Sequence, residues 1–287
     1  MEVAGISREA MTDNGLQFVR RTYKAGNSYF IANKGDKAVD AWVPLATKAA
    51  SVVIFNPMTK QSGLAKVMKQ NGRGVSVYLQ MQPGESCILQ TSITKITGAP
   101  YNYYKPSGDA INIAGNWTLK FIEGGPTLPA IIKTNELKSW TELGGEDVKS
   151  FSGTGSYTIT FNQPAKAAAN YQLDLGKVHE EVEVYLNGAK LATLIGPQYT
   201  VNIPSSQLKA NNQLEVRVAN LMANRIIDMD KKSIPYRIFY NTNFQSHGRD
   251  SRGPDGLFNA AKWDPKPSGL IGPVTITPLS ESFPGYK

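Results

Sequence analysis

The amino-acid sequence predicts an all-β protein built from two β-sandwich domains. Apolar and polar residues alternate with a period of two over many short segments, and turn-forming residues separate these segments at short intervals. No repeat of strand and helix is visible. The 287-residue length suits two ordinary domains, and a 41% hydrophobic share is enough for two cores.

Residues 1–97 are predicted to form a small antiparallel sandwich. Its clearest strand carries the alternating apolar residues Val75, Val77, Leu79 and Met81. Gln82-Pro83-Gly84-Glu85 then reads as a tight turn, because Pro fixes φ and Gly accepts a positive φ. Further strands are predicted over Phe18–Thr22, Ser28–Asn33 and Ser51–Phe55.

The domain boundary is predicted between residues 97 and 98, where Gly98-Ala99-Pro100 and Pro106-Ser107-Gly108 interrupt regular structure. The aromatic run Tyr101–Tyr104 lies between these two breaks. It could form a platform for sugar stacking or pack the linker against a neighbouring domain. We favour packing, because Tyr side chains are common at interfaces.

Residues 98–287 are predicted to form a jelly roll, since short strands follow at intervals of ~8–12 residues. In one strand, Val182, Val184 and Leu186 face inward, and Asn187-Gly188 then gives the strongest short hairpin signal. The other predicted strands are Ser156–Phe161, Asn170–Leu175, Tyr199–Ile203, Gln213–Val218 and Val274–Thr277.

A long loop is predicted over residues 219–272, where alternation is weak. Connections of this length are uncommon in compact domains and are often functional. The segment is rich in side chains that make specific polar contacts. They include Asn224, Arg225, Asp228, Asp230, Tyr236, Arg237, Asn241, Asn243, His247, Arg249, Asp250, Arg252, Asp255, Trp263 and Asp264.

Charge and cysteine content exclude several classes of function. The net charge is +8, but the basic residues are scattered rather than gathered in a stripe, so nucleic acid is not an expected partner. The one cysteine, Cys87, excludes an internal disulfide and reads as a buried strand residue. No apolar stretch is long enough for a membrane span, and Met1–Gly5 does not begin a signal peptide.

The metal ligands of a zinc site are missing, because His179, His247 and Cys87 form no recognisable pattern. Calcium needs only oxygen ligands, which Asp228 with Asp230, or Asp250 with Asp255, could supply. No other cofactor is expected.

No catalytic residue is predicted. The sequence contains no Gly-x-Ser-x-Gly elbow, and His179 reads as a surface histidine beside a strand. Glycoside hydrolysis needs two opposed carboxyl groups, but no (β/α)₈ scaffold is present to hold them. Glu181 and Glu183 share the outer face of one predicted strand and read as solvent-facing residues.

Several motifs resemble the region that follows the catalytic barrel in family 106 glycoside hydrolases, the α-L-rhamnosidase-like enzymes. Trp140–Leu143 and Phe151–Tyr157 resemble the start of the sugar-binding jelly roll found in family 2 and family 106 enzymes. The remaining motifs follow in the same order: Leu173–Gly176, Val184–Gly188, Val218–Leu221 with Asn224-Arg225, and Ser268–Val274. Asp40–Leu45 and Pro83–Cys87 extend the resemblance to the first third.

The resemblance implies a galactose-binding-like jelly roll and a parent enzyme of the periplasm or extracellular space. The family's catalytic glutamates lie in a barrel that would precede residue 1, so none is transferred to this chain. The expected partners are that barrel and a carbohydrate. The candidate carbohydrate-binding residues are Asn224, Arg225, His247, Arg249 and Trp263.

The leading hypothesis is therefore a non-catalytic, carbohydrate-associated accessory module that supports a catalytic barrel. Two alternatives stay open: an active α-L-rhamnosidase-like glycosidase, or part of one, and a structural or adhesion protein. Asn224 and Arg225 could fix the long loop or face a ligand. Trp263 could stack on a sugar or close the end of the sandwich.

Overall fold

The computed structural model describes residues 8–70, 74–236, 251–254 and 256–282. The chain divides into two compact units, Met1–Ser107 with Leu279–Lys287, and Gly108–Pro278. All paired strands named below are antiparallel, and the prediction of an all-β sandwich fold is confirmed. Within the described residues, no helix has the length and apolar character that crossing a bilayer requires.

The first unit is a sandwich of a five-stranded and a three-stranded sheet. Its strands are β1 (Leu16–Tyr23), β2 (Gly26–Asn33), β3 (Val39–Leu45), β4 (Ser51–Phe55), β5 (Ser62–Leu64), β6 (Val67–Lys69), β7 (Val75–Met81), β8 (Ser86–Ser92) and β9 (Tyr104–Pro106). The sheet orders are β1-β2-β8-β4-β5 and β3-β7-β6. Ala10–Asn14 forms a 3₁₀ helix before β1. The core is apolar, with Tyr29, Ile31, Val43, Val77 and Leu89 wholly buried.

The outer face of the five-stranded sheet carries an apolar row. Val19 pairs with Phe30, Phe30 with Ile88, and Ile88 with Phe55, so the four side chains project from neighbouring strands on one side. Val19 is 68% exposed and Phe30 47% exposed. Solvent-facing sides of antiparallel sheets are usually polar, so this row is an unusual surface.

The second unit contains the remaining elements, several of them short. Its strands are β10 (Ile111–Asn112), β11 (Trp117–Gly125), β12 (Ile132–Thr134), β13 (Ser152–Asn162), β14 (Asn170–Asp174), β15 (Lys177–His179), β16 (Glu181–Leu186), β17 (Ala189–Ile195), β18 (Thr200–Pro204), β19 (Asn211–Ala219), β20 (Gly269–Gly272) and β21 (Thr275–Glu281). Its helices are α1 (Trp140–Leu143), α2 (Glu146–Lys149), α3 (Ala223–Lys231) and a 3₁₀ turn at Ser205–Gln207.

A six-stranded sheet, β12-β11-β13-β19-β16-β17, and a sheet in the order β10-β21-β14-β18 form the second sandwich. In β14, β16 and β19 alternate residues enter the core, which includes the wholly buried Leu119, Tyr157, Leu173, Val184 and Val216. The last three residues of β21, from Leu279 onward, belong to the first unit and pair there with β9. Strands β15 and β20 form a separate two-stranded ladder.

The structure corrects the predicted domain boundary. The units divide after Ser107 rather than after residue 97, because Tyr101 and Tyr103 pack into the first unit. The Tyr103 ring lies 5.1 Å from that of Tyr78 and 5.2 Å from that of Tyr101. The Tyr103 hydroxyl donates to the carbonyl of Tyr78 at 3.0 Å. Within the first unit, these two rings pack against its core and do not form an exposed platform.

The predicted long loop, 219–272, also needs correction. It contains α3 and β20, which are regular elements. The helix is short, and its buried residues, Asn224, Ile227 and Met229, include a polar side chain. An apolar stripe of this kind is too brief to signal a helix from sequence alone.

Candidate functional site

The candidate site is built on α3, which follows β19 in the second unit. Asn224 on its first turn is 4% exposed. Its amide nitrogen donates to the carbonyl of Lys266 at 2.8 Å and to Ser268 Oγ at 3.2 Å. Its amide oxygen accepts from the N–H of Lys266 at 2.7 Å. The Asn224 amide therefore both donates to and accepts from the backbone of Lys266. It is too deeply buried to contact a ligand.

Asp230, near the end of the same helix, holds a second point of the chain. Its Oδ2 accepts from the N–H of Ala260 at 2.7 Å and from the hydroxyl of Tyr236 at 3.0 Å. Ala260 is wholly buried. One helix thus fixes both ends of residues 260–266, which we call the suspended segment.

Trp263 lies in the middle of the suspended segment and is half-buried. Its backbone N–H donates to the carbonyl of Ala260, and its indole N–H donates to Ser251 Oγ at 3.3 Å. The ring of Phe258 meets it edge-on, with 5.5 Å between centroids. These contacts restrain the indole, and the residue as a whole is partly exposed.

Lys266 completes this group. Its backbone is held by Asn224, its side chain is exposed, and its Nζ lies over the Trp263 ring at 5.6 Å from the centroid. This distance falls within the range of a cation–π interaction. Trp263, Lys266 and Phe258 together form what we call the aromatic platform.

Arg225 occupies a different position on α3. Its guanidinium group pairs with Asp228 at 2.9 Å, and both side chains are largely buried. Lys232 pairs with the other carboxylate oxygen of Asp228 at 2.7 Å. Two cations therefore occupy the Asp228 carboxylate, while Asp230 is engaged by Ala260 and Tyr236.

The predicted calcium ligands and site residues divide into three groups. Asn224 and Trp263 are joined through Lys266, whereas the described contact of Arg225 is with Asp228. His247 and Arg249, like the potential calcium ligands Asp250 and Asp255, lie outside the described residues. Among the described residues, no group of three potential metal ligands is found.

Carboxylates on the outer face of the six-stranded sheet are held in ion pairs. The hydrogen bond from Lys190, aided by one from Tyr185, lowers the pKa of Glu183. Partial burial opposes ionisation of Glu215, but hydrogen bonds from Arg217 and Ser156 outweigh it and lower the pKa. These carboxylates therefore stay ionised at neutral pH, which is unsuitable for a general acid.

In the first unit, burial raises the pKa of Glu85, whose carboxylate accepts from the N–H of Gln82 at 2.7 Å. Burial likewise raises the pKa of the Cys87 thiol to about 12. Glu85 closes the turn between β7 and β8, and Cys87 lies beside Met81 in the core. Their roles are structural, and the Cys87 thiol is too weakly acidic to act as a nucleophile near neutral pH.

The sequence interpretation missed Lys266, Phe258 and Ser251 as parts of the site. Lys266 sits three residues after Trp263, a spacing that carries no recognisable signal in an irregular segment. The sequence marks Asp230 as one of many polar residues and as a potential calcium ligand, but not as an anchor of the backbone. Its anchoring role depends on Ala260, thirty positions away in the chain.

Comparison with known proteins gives one similar sequence and a similar solved fold. No family model matches the chain. A protein of Formosa agariphila described as a "Putative beta-glucuronidase" is 33% identical over 192 residues, which cover 60% of this chain and 16% of that protein. The chain therefore spans only a small part of its relative's length.

The solved structure of a rhamnosidase from Novosphingobium sp. PP1Y matches 92% of this chain with a TM-score of 0.70 and 23% identity. The match covers 24% of the rhamnosidase chain. At this identity the likeness establishes the fold alone. Because it covers 92% of this chain, the match includes residues of both units, and in the rhamnosidase the matched region lies within a longer polypeptide.

Proposed function

We propose that this chain is a non-catalytic, carbohydrate-associated accessory module of a glycoside hydrolase. Its 33% sequence identity, over 192 residues, to a protein described as a "Putative beta-glucuronidase" supports a place in a sugar-cleaving polypeptide. The second sandwich then serves as a galactose-binding-like jelly roll. A family 106 parent is the form of this proposal that the sequence motifs favour.

The electrostatics of three described carboxylates are in keeping with a non-catalytic role. Hydrolysis requires a general acid that is protonated at working pH and a second carboxylate placed across the scissile bond. Glu183 and Glu215 have lowered pKa values because basic partners hold them ionised. Glu85 has a raised pKa, but its carboxylate is committed to the turn in the first unit.

The aromatic platform is the feature of the structure that best supports contact with a carbohydrate. Trp263 is partly exposed, and its indole is restrained by a hydrogen bond and an edge contact, which lowers the entropy lost when a ligand binds. Aromatic faces suit the C–H side of a sugar ring. Asn224 acts here as a positioning residue, because it is buried and fixes Lys266.

The proposed partners are a glycan and the catalytic barrel of the parent polypeptide. The two sandwiches would brace that barrel and place the aromatic platform near its substrate. A polysaccharide substrate would put the parent enzyme in the periplasm or outside the cell.

A glycan array, followed by calorimetry on the best ligand, tests the proposal. Trp263→Ala should lower affinity about tenfold or more, since loss of a central aromatic contact commonly removes over 1 kcal/mol. Phe30→Ala is the matched control, because it removes an exposed aromatic side chain from the other unit. Circular dichroism of both variants checks that the fold is kept.

Two outcomes would contradict the proposal. Turnover of aryl rhamnosides or aryl glucuronides by this chain alone would show that it is catalytic. Absence of binding to every glycan, or equal affinity of the wild type and Trp263→Ala, would remove the sugar contact and favour a structural role.

A further inference from the structure

We propose that the aromatic platform selects glycans that carry an anionic group, with Lys266 as the selecting residue. This inference rests on the proposed function, because it concerns the same site. It adds the chemical class of the ligand. The ligand is a sugar with a carboxylate or sulfate substituent close to the face that stacks on Trp263.

The Lys266 ammonium group lies over the ring on which a sugar would stack. Nζ lies 5.6 Å from the centroid of the Trp263 ring, over its face. A sugar stacked on that ring would meet the ammonium group directly. Any sugar stacked on that face would displace the cation from the ring, and a sugar with an anionic substituent would offset this loss by forming an ion pair with the displaced ammonium group.

The backbone of Lys266 is held in place by hydrogen bonds. Both its N–H and its carbonyl bond to the buried Asn224 amide, at 2.7 and 2.8 Å. The ammonium group therefore moves only by rotation of an exposed four-carbon side chain. It can leave the ring and follow an anion while its Cα stays in place.

The charge of the suspended segment also favours an anionic ligand. The suspended segment carries Lys262, Asp264 and Lys266, which leaves a net positive charge, and all three side chains are exposed. The nearby carboxylates of α3 are already engaged, Asp228 by two cations and Asp230 by Ala260 and Tyr236. Among the described charges of the suspended segment, that of Lys266 is the one placed over the ring.

The shared chemistry of the ligand is a negative charge, because a lysine acts as a point charge without a preferred planar geometry. A carboxylate of a uronic acid and a sulfate ester both satisfy it. Titration with three oligosaccharide classes separates them: uronate oligomers, sulfated galactan oligomers and neutral galactan oligomers.

Calorimetry at two salt concentrations, 50 mM and 300 mM, tests the selection, with Lys266→Gln as the variant and Lys262→Gln as the matched control. The wild type should prefer one anionic class over the neutral one. An exposed ion pair predicts a preference of about three- to fivefold at low salt, and added salt should reduce it. Lys266→Gln should remove both the preference and its salt dependence, whereas Lys262→Gln should keep them.

The outcomes separate this inference from the proposed function. If Trp263→Ala loses glycan binding but Lys266→Gln keeps the wild-type anionic preference, the charge selection is wrong and the sugar contact stands. If the wild type binds neutral oligomers as tightly as anionic ones, the selection is also wrong. If Trp263→Ala binds like the wild type, both ideas are refuted.

Discussion

Replacing Asn224 with Ala tests how the suspended segment is held. The substitution removes three hydrogen bonds: two to the backbone of Lys266, at 2.7 and 2.8 Å, and one to Ser268 Oγ at 3.2 Å. Ser268 keeps another donor, because the Asn220 amide also reaches its Oγ at 3.0 Å. We therefore count two lost bonds of about 1 kcal/mol each, a loss of about 2 kcal/mol in the free energy of unfolding.

Urea denaturation followed by tryptophan fluorescence measures this loss, and glycan calorimetry on the same preparation measures its effect on the site. Affinity should fall as well, since Lys266 and the suspended segment lose one of their two anchors. Asn211→Ala is the matched control, because its amide makes an exposed bond to Asn162 at 3.2 Å and should change stability by less than about 0.5 kcal/mol. Equal unfolding free energies for the wild type and Asn224→Ala would refute this account of the anchor.

Three further substitutions probe the two cores. Gly269→Ala should destabilise the second unit by about 2–4 kcal/mol, because φ is +92° and a Cβ would lie 2.2 Å from the Tyr157 hydroxyl; thermal melting measures this. Tyr103→Phe should cost about 1–2 kcal/mol in urea denaturation, because its buried hydroxyl accepts from the N–H of Lys66 and donates to a backbone carbonyl. Burial raises the pKa of Cys87 from 9.0 to about 12, so the stability linked to its neutral thiol is complete below pH 9 and declines as pH rises toward 12. The free energy of unfolding, measured from pH 8 to 11, should therefore fall less steeply for Cys87→Ala than for the wild type. Parallel curves for the two proteins would contradict this.

The strands were predictable because their side chains obey a local rule. Val182, Val184 and Leu186 are buried in β16 as alternation requires. Asn187 and Gly188 both have positive φ, as expected for the hairpin turn that their sequence predicts. In both cases the deciding information lies within a few residues of the chain.

Strand β7 shows where the local rule stops. Alternation predicts that Tyr78 faces solvent, yet it is only 7% exposed. Its ring is covered by Trp42, at 5.6 Å, and by Tyr103, at 5.1 Å between centroids. Trp42 and Tyr103 are both distant from Tyr78 in the sequence, so a period-two pattern cannot predict these contacts.

The candidate site was predictable only in part, for a related reason. Asn224 and Trp263 were identified because polar and aromatic residues in a long connection often contact ligands. The structure separates their tasks, since the buried amide of Asn224 serves the backbone of Lys266 while Trp263 reaches solvent. Such a division depends on burial, which residue type alone does not determine.

The apolar row on the outer sheet of the first unit bears on how the purified protein behaves at the bench. Val19, Phe30, Ile88 and Phe55 form a strip about 14 Å long across four strands. Such a strip favours association with other apolar surfaces, and salting-out anions such as sulfate strengthen that association. We therefore expect concentrated samples to behave best in buffers with low sulfate content. A Phe30→Ser variant should associate less than the wild type under the same conditions.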